Sequence, residues 1–259
     1  MESLQSLSGE ISEPEEAMLR CFGISGFSPY LQSQTLLLGK NINSESFQIW
    51  LKQESKVQEN IFIFVFLDKI LSPWWIKLAK GNIINAHSAV LPYARGMFAI
   101  ENMAYQGDFE KFQQAAGASI HYIDEGIDTG RIIKAIRFKN PFAFESLSEV
   151  KAYSYKLAFD LLIQQAWEIL ENTQTQSVGI KADPALLGTA FSRNNYTPDV
   201  HFGIKSNTTS FRVFIIGSHT TNIANQICII FKPWNICRYC SCYLVLVRKS
   251  KNISFSNSQ

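Results

Sequence analysis

Residues 82–96 read NIINAHSAVLPYARG, an apolar run that ends on an amide and an imidazole two positions apart. Ile83 and Ile84 lead into Asn85 and His87, and Pro92 stops any regular element soon after. In an extended chain residues i and i+2 point to the same side, so the two polar side chains emerge together at the carboxyl end of a strand. That is where open α/β sheets place their ligands.

Upstream, IFIFVFL (61–67) is an uninterrupted apolar run without charge, the pattern of a strand buried on both faces in a parallel sheet. Between the two runs, SPWWIKLAK (72–80) opens with Ser-Pro, which puts proline at the first helical position. Strand, helix and strand within so short a stretch predict a βαβ unit. SESFQIWLKQES (44–55) predicts a short helix before it, and 96–114 predicts helix in two pieces broken near Gly107-Asp108. ASIHYID (118–124) and RIIKAIRF (131–138) predict two further strands. Ser146-x-x-Glu149 is a capping box ahead of helical spacing that runs to about residue 172. The fold class expected is α/β, with a mostly parallel central sheet flanked by helices.

The chain has 259 residues, 46% hydrophobic and 18% charged, a globular balance with room for one sizeable domain. No early stretch joins a basic flank to an apolar core, and no apolar run reaches membrane-span length, so a cytoplasmic location without a membrane partner is expected. The opening residues 1–15 are acidic and polar and are read as a leader. Residues 1–200 carry 17 Lys/Arg against all 22 Asp/Glu, whereas 201–259 carry 7 Lys/Arg and no acid. Four of the five cysteines, Cys228, Cys237, Cys240 and Cys242, also lie in that basic tail. The expected division is a leader (1–15), a domain over 16–200, and a tail (201–259) dispensable to the domain and without an assigned structure. The acidic balance of 1–200 argues against gripping a nucleic acid. Cys237-x-x-Cys240-x-Cys242 lacks a matching ligand set, so no metal is expected.

A second stretch, GASIHYIDEGIDTGRII (117–133), sets Asp128 between Gly126 and Gly130, which disfavours helix and permits a tight loop. Strands lead in and out, so this loop offers a carboxylate at a neighbouring strand end. Amide, imidazole and carboxylate suit acyl transfer without a nucleophilic side chain. Asn85 donates to a developing oxyanion, His87, if protonated, adds charge there with a pKa near working pH, and Asp128 holds and charge-matches the imidazole and moves the proton through a water. His121, inside the strand, is read as structural, and Trp74 and Trp75 as packing.

Residues 60–140 resemble the folate-dependent formyltransferase family, whose members carry an Asn-x-His strand end followed by Ser, Leu-Pro and Gly. Here those are Asn85, His87, Ser88, Leu91-Pro92 and Gly96. The family's Asp-x-Gly loop matches Asp128-Thr129-Gly130, and its folate-lining segment matches Phe66-Leu67-Asp68-Lys69-Ile70-Leu71. The resemblance implies a Rossmann-like formyltransferase fold, 10-formyltetrahydrofolate as one-carbon donor and a small amine as acceptor. It also implies catalysis by Asn85, His87 and Asp128, and folate contacts at Leu67, Lys69, Ile70, Leu71, Asp124, Glu125 and Gly126. Phosphoribosylglycinamide is the expected acceptor. The alternatives are methionyl-tRNA, an amino sugar, or a folate-binding relative without turnover. GISGF (23–27) is the candidate for the acceptor's phosphate loop, Ser88-Ala89 replaces the family's Pro-Ser, and its late Glu-His pair is absent from the 146–172 helix. Nothing in the sequence assigns an oligomeric state.

Overall fold

The computed structural model of the protein describes residues 12–23, 41–57, 61–171, 177–197 and 243–247. The described helices are α1 (Glu13–Phe22), α2 (Glu45–Val57), α3 (Pro73–Leu78), α4 (Ala99–Tyr105), α5 (Phe109–Ala115) and α6 (Leu147–Glu171). The strands are β1 (Phe62–Phe66), β2 (Ile83–His87), β3 (Arg95–Gly96), β4 (Gly117–Tyr122), β5 (Ile132–Arg137), β6 (Ala190–Phe191) and β7 (Tyr243–Val247).

β1, α3 and β2 form the expected βαβ unit, with Ile63 beside Ile83 and Val65 beside Asn85 in parallel register. The main sheet has the order β5-β4-β2-β1-β7. Its class is the α/β expected, but it is mixed rather than mostly parallel, because β2–β4, β4–β5 and β1–β7 pair antiparallel. For β4–β5 the reason is connection length. The loop between Tyr122 and Ile132 is hairpin-sized, whereas a parallel crossover needs a dozen residues or more.

Strand alternation assigns the two faces. Ile63, Val65 and Ile83 pack with Phe47 and Leu51 of α2 and with Trp75 of α3. The fully buried Trp75 keeps its indole N–H satisfied on the Ile42 carbonyl at 3.2 Å. Phe64, Ile84 and Ile120 face the other way, onto Ala158, Leu161 and Leu162 of α6. A third cluster, including Ala94, Ile100, Phe112, Val150 and Phe191, lies where α4, α5 and β6 meet. Asn85 and His87 share parity with Ile83, so they lie on the face turned away from α6.

Three features depart from the sequence expectations. Part of the leader is helical: α1 starts at Glu13, where Glu15 Oε2 accepts the Ser12 N–H at 2.7 Å, and it packs on α6 through Phe22 and Tyr153. At the start of α6, Ser146 caps the Glu149 N–H at 3.1 Å as expected, but the Glu149 carboxylate reaches back to the Glu145 N–H at 2.6 Å. Within the tail, 243–247 forms β7 against the outer edge of β1, with Phe64 beside Val245. YLVLV has the composition of a strand, but its partner lies so far back in sequence that no local pattern could assign it. The tail cysteines and residues 24–27 of GISGF lie outside the described residues.

Candidate active site

β4 runs antiparallel to β2, with Ser119 opposite His87 and His121 opposite Asn85. Directly paired residues share a face, so four polar side chains form a two-by-two patch on the sheet. Ser119 is structural there. Its hydroxyl donates to the Ala89 carbonyl at 2.9 Å and accepts the Leu91 N–H at 2.8 Å, fixing the chain as it turns at the cis Leu91–Pro92 bond.

Because β4 is antiparallel, its carboxyl end lies beside Ile84 rather than His87, so the two motifs do not sit at matching strand ends. The chain corrects for this by folding back. Ile123 N–H bonds the Ile83 carbonyl at 2.9 Å, and the loop then returns across the face until Asp128 meets His121, His87 and Gly96. Asp128 Oδ2 accepts the Gly96 N–H at 2.7 Å and lies 3.6 Å from His87 Nδ1, while Oδ1 lies 3.3 Å from His121 Nε2. Asp128 has φ +50°, a left-handed conformation uncommon outside glycine, which must be held from several sides.

His87 is 7% exposed, and its Nε2–H donates to the Ala94 carbonyl at 2.9 Å. A carbonyl only accepts, so that contact fixes the tautomer. Burial pulls the imidazole pKa below its usual value, the Asp128 charge opposes this, and His121 adds to the lowering. His87 therefore rests neutral at neutral pH, with its Nδ1 lone pair turned towards a carboxylate. For Asp128 burial works towards a raised pKa. The positive charge that His87 and His121 carry when protonated, together with the Gly96 N–H, outweighs it and holds the carboxyl well below the usual range. An ionised carboxylate facing a neutral imidazole lone pair is a proton-accepting arrangement.

His121, read from the sequence as structural, belongs to this cluster. Its Nδ1–H donates to the Tyr122 carbonyl at 2.8 Å, leaving Nε2 between Asn85 Nδ2 at 3.1 Å and Asp128 Oδ1 at 3.3 Å. With Nε2 as acceptor, one amide hydrogen of Asn85 is used, and Asn85 Oδ1 has no partner among the described residues. A buried acceptor without a partner is costly, and Asn85 lies two residues before His87 on the same face of β2. The available signal for His121 was its two-residue offset from Ser119 in an extended run, which puts both on one face, but its role depends on the β2–β4 register, which the sequence does not state.

The other predicted residues divide. Leu71 is buried and Leu67 half-buried, and both belong to the core under α2 and α3. Lys69 and Ile70 are exposed at the β1 end, where Asn43 braces the turn by donating to the Ile70 carbonyl at 2.9 Å and accepting the Ser72 N–H at 2.8 Å. Asp124 is spent on its own loop, accepting from Gly126 N–H at 3.1 Å and Thr129 Oγ1 at 2.7 Å. Glu125 and Gly126 are exposed. Gly126 needs no unusual angle, but an added Cβ would land on the Thr129 hydroxyl.

A segment with no sequence signal also meets the site. Residues 184–197 run beside the 92–97 turn, with Gly188 N–H on the Pro92 carbonyl at 2.8 Å, Met97 N–H on the Phe191 carbonyl at 2.9 Å, and β6 parallel to β3. Gly188 and Gly96 permit this approach, since a Cβ on either would strike the Tyr93 or the Phe191 carbonyl. Tyr196 stacks on Phe98 with ring centroids 4.3 Å apart, and Arg193 Nη2 bonds Asp68 Oδ2 at 2.8 Å.

Residues 41–140 match the sequence model of a family described as Formyl transferase. A 91-residue stretch is 32% identical to the trifunctional purine biosynthetic protein adenosine-3 of Chironomus tentans, covering 34% of this chain and 6% of that protein. A 118-residue stretch is 30% identical to methionyl-tRNA formyltransferase of Prochlorococcus marinus, covering 46% of this chain and 33% of that enzyme. The chain thus spans a third or less of the length of these two relatives. Phosphoribosylglycinamide formyltransferase from Streptococcus pneumoniae is a similar solved structure, at 28% identity and a TM-score of 0.33, covering 38% of this chain and 53% of that one. Among the described residues no helix is long and apolar enough to cross a membrane.

Proposed function

We propose that this chain, whose residues 41–140 match the formyltransferase family model, transfers a formyl group from 10-formyltetrahydrofolate to an amine, with phosphoribosylglycinamide as the acceptor. The observation that carries the reading is the convergence of Asn85, His87, His121 and Asp128 on one buried face, with a neutral imidazole lone pair set against an ionised carboxylate. The catalytic unit is assigned to residues 16–200, joined by the start of α1 at Glu13 and by the 243–247 strand on the outer edge of β1.

10-Formyltetrahydrofolate supplies the formyl carbon: a bond forms from the acceptor nitrogen to that carbon, and the bond from the carbon to the donor nitrogen breaks. The protein's part is electrostatic and protonic. Asn85 has a second amide hydrogen to donate to the carbonyl oxygen as it gains negative charge, a contact worth roughly 3–4 kcal/mol. Its unpartnered Oδ1 accepts an N–H of the incoming amine and orients it. His87 Nδ1 takes the proton that the amine must lose, and Asp128 stabilises the imidazolium so formed. The same proton then goes to the departing nitrogen, so no proton is gained or lost overall. The unpartnered buried acceptor and the proton-accepting pair are the features that fit such a donor and amine. Folate contact is assigned to the exposed Lys69, Ile70, Glu125 and Gly126 and to the backbone around Leu67, Leu71 and Asp124.

The test is turnover by the purified chain, following deformylated folate by absorbance with phosphoribosylglycinamide, a nucleotide-linked amino sugar and methionyl-tRNA in parallel. Turnover with phosphoribosylglycinamide alone is the expected result. Turnover with another amine would overturn the acceptor assignment, and folate binding without any turnover would overturn the catalytic one.

A further inference from the structure

Arg95 has no place in the mechanism above, yet its guanidinium joins two segments of the site. Nε and Nη2 both donate to the Gly188 carbonyl, at 3.1 and 3.0 Å, and Nη1 donates to the Ile127 carbonyl at 3.2 Å. The Ile127 carbonyl belongs to the peptide bond that enters Asp128. The residue after Arg95 is Gly96, whose N–H holds the Asp128 carboxylate at 2.7 Å. Two successive residues therefore grip Asp128 from both ends, the side chain of one on the preceding peptide and the backbone of the next on the carboxylate. Asp128 is also the loop residue with a left-handed backbone, at φ +50°. Such a conformation persists only where the surroundings over-determine it. A planar fork with donors in fixed directions suits the task, and a lysine ammonium does not reproduce it.

We propose that Arg95 is a positioning residue, which clamps the Ile127–Asp128 peptide against the 184–197 segment and so keeps the Asp128 carboxylate facing His87. The clamp itself follows from these contacts, and only its consequence for rate rests on the formyl-transfer reading.

The sign of one titration separates a clamp from a simple charge effect. The charged and titratable groups that act on His87 are Asp128 on the returning loop, His121 on β4 and, more remotely, Lys151 of α6, which is paired with Glu101 of α4 at 3.1 Å. Arg95→Gln removes a nearby positive charge, which by itself would favour the imidazolium and move the His87 midpoint up. Release of Asp128 removes the negative charge nearest His87 and moves the midpoint down.

The experiment is an imidazole ¹⁵N titration of the full chain, which has four histidines, with His87 assigned by His87→Gln. Arg95→Gln is expected to lower the His87 midpoint. In an Asp128→Asn background the same change should raise it or leave it, because no carboxylate remains to be released. Turnover should fall about tenfold or more while the donor KM stays within about twofold, the pattern of lost orientation rather than lost binding. Arg95→Lys keeps the charge but not the fork, so it should also lower the midpoint, and it serves if Arg95→Gln does not fold. A midpoint that rises or stays with Arg95→Gln in the otherwise wild-type chain, with Arg95→Lys unchanged, overturns the clamp. A downward shift in a protein that formylates no amine leaves the clamp standing and overturns the proposed function.

Discussion

Asp128→Asn keeps the size of the side chain and an oxygen for the Gly96 N–H, and removes only the charge. That charge lies 3.6 Å from His87 Nδ1. At an effective dielectric of about 20, two unit charges at that distance attract by about 4–5 kcal/mol. The neutral amide is cheaper to bury than a carboxylate, so part of this is offset in the resting protein, and about 3 kcal/mol should remain as lost stabilisation of the imidazolium. At 1.36 kcal/mol per factor of ten, that lowers the chemical step by roughly a hundredfold or more. Single-turnover formyl transfer, with the acceptor identified by the panel above, measures the step directly. Calorimetry with the folate should show binding unchanged, since the charge contact strengthens as the proton arrives. A single-turnover rate within threefold of wild type would refute the electrostatic pairing of Asp128 with His87.

Asn85→Ala should lower turnover by about a hundredfold or more with little change in folate affinity. Combined with Asp128→Asn it should cost less than the product of the two single losses, because both groups act on one transition state, and fully multiplicative losses would argue that they act separately. Gly188→Ala drives a methyl into the Tyr93 carbonyl and should cost about 1–3 kcal/mol in urea unfolding; an unchanged midpoint would mean that the 184–197 segment moves without penalty. Stability should fall on acidification in two stages. Below about pH 6.5 the unfolded chain protonates His87 while the folded chain resists. Below about pH 4 the unfolded chain protonates Asp128 while the folded chain keeps it charged. His87→Gln should flatten the first stage, and an undiminished slope there would count against the buried neutral imidazole.

The parts of the site legible in the sequence were those carried by local pattern. Asn85 and His87 could be read because a two-residue offset in a strand fixes a shared side, and Asp128 because flanking glycines mark a loop. The βαβ unit was legible because an unbroken apolar run, Ser-Pro and a second run follow in short order. What escaped depends on pairing across the chain. The antiparallel setting of β4 decides that His121 joins Asn85, and nothing within 117–133 states which way that strand runs. The 184–197 segment is short and irregular, mixing Leu, Ala and Phe with Gly, Pro and Asn, so it carries no periodicity. Its importance lies in backbone carbonyls, which every residue has. Leu71 and Asp124 show the converse limit. A motif match suggests contact with a ligand, but the same side chains serve the core and the loop.

The pairing of β1 with β7 has a consequence for the order in which the chain is made. FIFVF is complete at Phe66, and the parallel partner on its inner side follows within about twenty residues, at Ile83–His87. Among the described residues its outer edge is covered by 243–247 alone. At about 5–20 residues per second, that strand emerges on the order of ten to forty seconds later. For that interval the most apolar strand of the sheet presents an unpaired row of N–H and C=O groups, a template for pairing with another chain. Nascent molecules on one message carry the same open edge side by side, so synthesis rate and chaperone supply should govern the yield of native protein more strongly than its final stability does.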